Sequence, residues 1–288
     1  MKPELECASC TLKWVYERAG VLSDDEGRFS LSRRILKTLS QEFYSDVNLG
    51  LMCNRIVEST GESIVHASQY YDPFKQESNQ RAKELLPTAK IFIDKGQTEQ
   101  ERFIRACCLA SASNIAPIGG PSETFAFHEV INILVGKNPL PMVMGDIFEA
   151  VKKAKRVLYI TDNAGEIGFD SLLISKLKEM GSRITLLVKE DPFFEDATTR
   201  DASFFHLDRD VDHVLTVKGL FVPTHCPSSL RDSLDKSDLV ISKGTGNYEA
   251  LKDELDGKKA IFMLKVKCGP IAADSGVDLG SFLVKFDQ

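Results

Sequence analysis

Two stretches of this chain place oxygen-bearing side chains where a strand-like run stops. "RVLYIT" (156–161) runs into Asp162, Asn163, Ala164, Gly165 and Glu166. "RITLLVK" (183–189) leads to Asp196, just ahead of Ala-Thr-Thr-Arg-Asp. Carboxylates and an amide carbonyl are the donors that hard divalent cations such as Mg²⁺ and Mn²⁺ prefer. Asp and Asn also cap helices, and helix-like patterns follow both stretches, so capping is the competing role for each residue alone. Two acids at neighbouring strand mouths favour the joint reading. Converging carboxylates repel, and a cation relieves that cost.

Two further strand-like runs end in groups suited to an anion. "SDLVIS" (237–242) is followed by Lys243, Gly244-Thr245-Gly246 and Asn247. Small residues let a backbone approach a ligand closely, and N–H groups at a helix start point toward an anion such as phosphate. The loop matches neither the P-loop nor the six-residue dinucleotide fingerprint. "KAIFMLK" (259–265) is followed by Lys267 and the turn-like Cys-Gly-Pro. A lysine there is costly to bury unless an anion meets it. Oxygen ligands, a glycine loop and a lysine together suit phosphoryl chemistry: an ion and positive groups stabilise charge on the phosphoryl oxygens. Water is one nucleophile, and Asp196 or Asp162 is the other choice of nucleophile or base.

These residues need a sheet to hold them. From Lys155 onward, short β-branched runs alternate with helical stretches; "VDHVLTV" (211–217) and "SFLVKF" (281–286) are further strands. Near-continuous apolar strands alternating with helices predict a parallel sheet covered on both faces, with ligands beyond the carboxyl ends of its strands. Residues 1–150 read as helices instead, with apolar positions three and four apart over 30–39, 41–59, 73–86 and 98–113. The expected fold is α/β: a Rossmann-like parallel-sheet domain (151–288) preceded by an all-helical N-terminal domain (1–150), with "KNPLPMVMGD" (137–146) as the hinge.

A formal charge of −6 argues against a general nucleic-acid binder, which needs a basic face. No apolar run is long enough for a membrane span, and the first residues lack the apolar core of a signal peptide. A cytoplasmic protein is expected, with a small phosphorylated metabolite as partner, no nucleic acid, no membrane, and a homo-oligomer left open. Seven cysteines, an odd number spread over a long chain, do not resemble a secreted disulfide framework. Cys7 and Cys10 have metal-binding spacing without a second such pair, so a second metal site, with Cys53 and Cys107 or Cys108 as further ligands, competes with a redox pair or packed free thiols.

In "DNAGEIGFD", "EDATTRDA", "KGTGNYEAL" and "LKVKC", in that order and spacing, the chain resembles the domain-of-unknown-function 89 family of metal-dependent damage-control phosphatases. The "CASC" at Cys7–Cys10 and the "ASASNI" holding Asn114 resemble its microbial subgroup. The resemblance spans nearly the whole chain. It implies a divalent metal ion (Mg²⁺, Mn²⁺, Co²⁺ or Ni²⁺) on Asp162, Asn163 and Asp196. It implies substrate contacts from Glu166, Asn114, Thr245, Gly246, Asn247, Tyr248, Glu249 and Lys267, beside the contact expected of Lys243 from its place before the glycine loop, and hydrolysis of small phosphometabolites such as sugar phosphates. The chain departs from the subgroup after Asn114, where Pro117 stands at a position often acidic. S-adenosylmethionine-dependent carboxyl methyl transfer and non-catalytic phosphometabolite binding are the alternative readings.

Overall fold

The β-branched runs of the second half form the central strands of one seven-stranded sheet. The computed structural model of the chain describes residues 1–21, 23–61, 63–114, 127–191 and 193–288. Five helices come first: α1 (Leu5–Ala19), α2 (Asp25–Glu42), α3 (Leu49–Ser59), α4 (Ser63–Asp94) and α5 (Glu99–Ala112). They are followed by α6 (His128–Leu134), β1 (Met142–Met144), α7 (Ile147–Lys153), β2 (Arg156–Ile160), α8 (Glu166–Glu179) and β3 (Arg183–Lys189). Next are α9 (Thr199–Phe204), α10 (Leu207–Asp210), β4 (His213–Val217), α11 (Ser228–Lys236), β5 (Leu239–Lys243) and α12 (Thr245–Leu251). The chain closes with β6 (Ala260–Lys265), α13 (Gly269–Ser275) and β7 (Phe282–Asp287).

Local chemistry fixes several helix starts. The side chains of Asp24, Asn48 and Thr98 each accept a backbone N–H three residues on, satisfying one orphan donor of α2, α3 and α5. Glu4 and Cys7 form a reciprocal cap on α1. The periodicity at 30–59 resolves into two helices, because the chain turns between Phe43 and Asn48.

The strand order is β1-β7-β6-β5-β2-β3-β4. β2 to β6 pair in parallel, as expected. β7 runs antiparallel to β6, and β1 parallel to β7, so this edge departs from an all-parallel sheet. β1 lies within the stretch read from sequence as a hinge. Alternate residues of each strand enter opposite cores. Val157 and Tyr159 face a core with α4, α5 and α8; Leu158 and Ile160 face one with α1, α2 and α3. Both faces are therefore covered, which suits parallel strands with near-continuous apolar sequences. Among the described residues, no helix is long and apolar enough to cross a membrane.

The order reverses between β2 and β5. From β2 the chain moves outward through β3 and β4, then returns to add β5 and β6 on the other side. A crevice opens at the carboxyl ends of strands on either side of such a switch point, and ligands bind there. Asp162 follows β2, and Gly244 follows β5.

Candidate active site

Main-chain bonds join the tips of β2 and the β3–α9 connection. Ala197 N donates to Asp162 O at 2.7 Å, and Ala164 N donates to Glu195 O at 2.9 Å. Asn163 and Asp196 thereby form an antiparallel bridge, so the expected ligands are brought face to face. On the other side of the crevice, Gly244 has φ 84° and ψ 161°, a region essentially reserved for glycine. A Cβ there would stand 2.1 Å from Asp162 Oδ2, so the missing side chain is what admits the carboxylate.

Asp162 is half-buried, and its Oδ2 accepts Nδ2 of Asn114 at 2.7 Å and of Asn163 at 2.9 Å. Asn163 Nδ2 also donates to Glu166 Oε1 at 2.8 Å, so its amide nitrogen is engaged inward and its carbonyl is the group left to act as a ligand. Burial pushes the Asp196 carboxyl up to about 7; Lys189, 3.3 Å away, opposes the shift and Asp162 adds to it. Glu195 is clamped by Arg18 of α1 through Nε at 3.1 Å and a second guanidinium nitrogen at 2.9 Å.

Beneath these groups lies a buried charge network. Lys243 Nζ is 2.7 Å from Asp170 Oδ1 and 3.7 Å from Glu166 Oε2; all three side chains are fully buried. Tyr159 OH donates to the same Asp170 oxygen at 2.8 Å. Burial pulls the Lys243 ammonium down, but Asp170 and Glu166 more than reverse this and hold it above the ordinary lysine value. Burial pushes the Glu166 carboxyl up to about 8, with Lys243 opposing and Asp162 reinforcing.

A cavity of about 470 Å³ opens over the strand tips. Asp162, Asn163, Asp196, Thr245, Gly246, Glu249, Lys267, Cys7 and Cys10 all line it. Burial lowers the Lys267 ammonium, while Asp162 and Glu166 pull it back up. The N–H groups at the start of α12 have no partner within the helix, as at any helix start. Five expected substrate contacts stand behind the wall instead. Glu166, Asn114, Lys243, Asn247 and Tyr248 are fully buried and do not line the cavity. Asn114 spends its amide on Asp162, Glu166 and the Lys265 N–H. Asn247 Nδ2 ties Thr161 O to Lys243 O at 2.9 and 2.8 Å. Tyr248 turns away, donating to Asp274 and packing edge-on against Phe262. Pro117 lies outside the described residues.

The donor set fits a small hard cation. Gly244 makes room for the Asp162 carboxylate, to which the Asn163 amide is bonded, and the burial and repulsion from Asp162 that raise Asp196 are costs a cation offsets. Among the described residues no group of three histidine, cysteine or acidic side chains forms a metal cage. That is compatible with Mg²⁺, which is held through one or two carboxylates and keeps waters and substrate oxygens as its other ligands. Cys7 and Cys10, the expected second metal or redox site, line the same cavity. Cys53 and Cys268 share the cavity wall with them, whereas Cys107 packs in the opposite core and the Cys108 thiol faces Pro141 O. All seven thiols are free.

Sequence reading passed over Lys189, Asp170, Arg18 and Trp14. Lys189 ends β3 as Lys243 ends β5, and that parallel was a usable signal. Asp170 lies one helical turn beyond Glu166.

Residues 4–283 match the damage-control phosphatase ARMT1-like domain family. The chain belongs to this family. It is 31% identical over 291 residues to a protein of Archaeoglobus fulgidus named damage-control phosphatase, covering 99% of each chain. A damage-control phosphatase of Pyrococcus horikoshii is 35% identical over 141 residues, covering 48% of this chain and 49% of that one. The crystal structure of a DUF89 family protein from Pyrococcus horikoshii superposes with a TM-score of 0.76 at 26% identity, covering 99% of this chain and 98% of the other.

Proposed function

We propose that this protein is a metal-dependent phosphatase of small phosphorylated metabolites, working in the cytoplasm without a nucleic-acid or membrane partner. The observation that carries the reading is the approach of Asp162 to Gly244 beside the Asn163–Asp196 bridge, at the switch point of the sheet. Names borne by relatives in the same family support it.

Asp162, Asn163 and Asp196 would hold the ion. When bound, a divalent cation supplies counter-charge to phosphoryl oxygens and acidifies water. Lys267, Thr245 and Gly246 line the same space, and the lysine ammonium and the backbone N–H groups at the start of α12 would bind the phosphoryl oxygens. The carboxylate of Asp162 or Asp196 takes the proton of the incoming nucleophile. Glu166, held by Lys243, orients the Asn163 and Asn114 amides and so aims the donors without touching substrate.

The test is phosphate release from a panel of small phosphomonoesters by chelator-treated protein, before and after Mg²⁺, Mn²⁺, Co²⁺ or Ni²⁺ is restored. Release should depend on the ion and vanish in Asp162→Ala with circular dichroism unchanged. Ion-independent release, or full activity in Asp162→Ala, overturns the reading.

A further inference from the structure

The turn 162–165 carries Asp162 and Asn163 but ends in Ala164 and Gly165, whose side chains offer no hydrogen bond, and α8 starts at Gly165 without a side-chain cap of its own. Helix α4 holds it from outside. Gly165 N donates to Asn79 Oδ1 at 2.7 Å, and Ser78 Oγ donates to Ala164 O at 3.3 Å. A Cβ on Gly165 would stand 2.0 Å from Ser78 Oγ, so α4 lies directly against the turn. The other half of the Asn79 amide reaches the Asp196 side, where Nδ2 donates to Asp201 Oδ1 at 2.8 Å.

We propose that Asn79 is a positioning residue: it holds the turn 162–165 at a fixed angle to the segment bearing Asp196, and so aligns the ligands of the ion. The inference rests on the metal-site reading above and adds to it a residue of the helical half that does not line the cavity.

The segment with Asp196 is an anchored reference. Lys189 N donates to Ala197 O at 2.9 Å, which ties it to β3. Asp201 is fixed in turn: its Oδ2 accepts Thr198 N at 2.8 Å and Thr198 Oγ1 at 2.9 Å, and Lys75 Nζ lies 3.0 Å away. Burial pushes the Asp201 carboxyl up, but Lys75, the Thr198 N–H and the Asn79 amide outweigh it and hold it below the ordinary value. A carboxylate offers only acceptors and the Gly165 N–H only a donor, so bridging them needs one group of each kind. The amide of Asn79 supplies both. Lys75, Ser78, Asn79 and Asp201 are all buried, where a polar group left without its partner is costly. The main-chain bonds at Asp162–Ala197 and Ala164–Glu195 set the separation of the two turns and act as a hinge line. Asn79 ties the turns away from that line, which fixes their angle.

The experiment titrates chelator-treated, full-length protein with Mn²⁺, reads the free ion by electron paramagnetic resonance, and measures phosphate release from the same samples. Asn79→Asp keeps an acceptor for the Gly165 N–H but sets a second carboxylate against Asp201. It should weaken Mn²⁺ binding by about 10- to 100-fold, as when a group that orients metal ligands is removed. Adding Asp201→Asn exchanges acceptor and donor across the contact, and Lys75, four residues before position 79 on α4, pairs the relocated carboxylate. The exchange should regain most of the affinity, which a general loss of stability does not predict. If Asn79→Asp does not fold, Asn79→Ala, which brings in no charge, should weaken binding in the same direction. Wild-type Mn²⁺ binding that a folded Asn79 variant leaves untouched, or a loss that the exchange does not repair, overturns the proposal alone. Phosphate release that falls in Asn79→Asp and returns in the exchange, from a wild type that binds no Mn²⁺, defeats the metal reading alone. A wild type that neither binds Mn²⁺ nor releases phosphate defeats both.

Discussion

Gly244 leaves open the space that the carboxylate of Asp162 fills: a Cβ on it would lie 2.1 Å from Oδ2 and 2.3 Å from Cγ. Gly244→Ala should therefore act twice. The backbone conformation costs about 1–3 kcal/mol for a residue with a side chain, and the methyl group displaces the candidate ligand. A drop in melting temperature together with near-complete loss of phosphate release is expected. Retained activity at unchanged stability would show that Asp162 does not need this approach.

Lys243 is buried with two acids, so Lys243→Met should destabilise by about 3–5 kcal/mol, as when one partner of a buried pair is removed. Asp170→Leu in the same background should restore part of that loss, because the stranded carboxylate goes with it. Denaturant unfolding of the two single variants and the double variant measures the coupling. Simple additivity would count against a shared network.

Burial pushes the Glu249 carboxyl up to about 7, against the N-terminal ammonium and Lys267. Unfolded, it ionises near about 4.3. The folded chain therefore holds this proton more tightly. The associated stability is whole below the unfolded value and is lost as pH rises through about 7. Glu249→Gln cannot ionise there. Between about pH 5 and 8 it should gain on wild type by on the order of 2 kcal/mol. Parallel pH profiles of melting temperature for the two proteins would contradict this.

An ion held by the folded site should raise the melting point. At about 100 times its dissociation constant the gain is about 2.7 kcal/mol. Calorimetry with Mg²⁺ or Mn²⁺ should show the rise in wild type and little of it in Asp162→Asn or Asp196→Asn. Equal rises in all three would place the ion elsewhere.

The strands of the second half were legible because burial on both faces demands near-continuous apolar runs, and five of them stand in parallel where the alternation with helices puts them. The direction of β7 was not, since a short apolar strand carries the same pattern whichever way it runs. α1 was missed because polar Thr11 and Arg18 stand in its buried stripe with Cys7, Val15 and Ala19, so the apolar spacing is broken; Trp14 went with it. The glycine-loop motif was read as a run of contacts from Thr245 to Glu249. A helix turns about 100° per residue, so Thr245, Gly246 and Glu249 share the cavity side while Asn247 and Tyr248 point into protein. Lys243 misled for a related reason: a lysine ending a strand looks the same in sequence whether it meets a ligand or a buried Asp170.

The bridge between Asn163 and Asp196 is made by main-chain atoms, so the spacing of the gripping jaw owes little to the side chains around it. Phe193, Trp14 and their neighbours can be exchanged without prising its two halves apart. One unaltered chemical vice could in this way be fitted with different linings, each tailored to another workpiece.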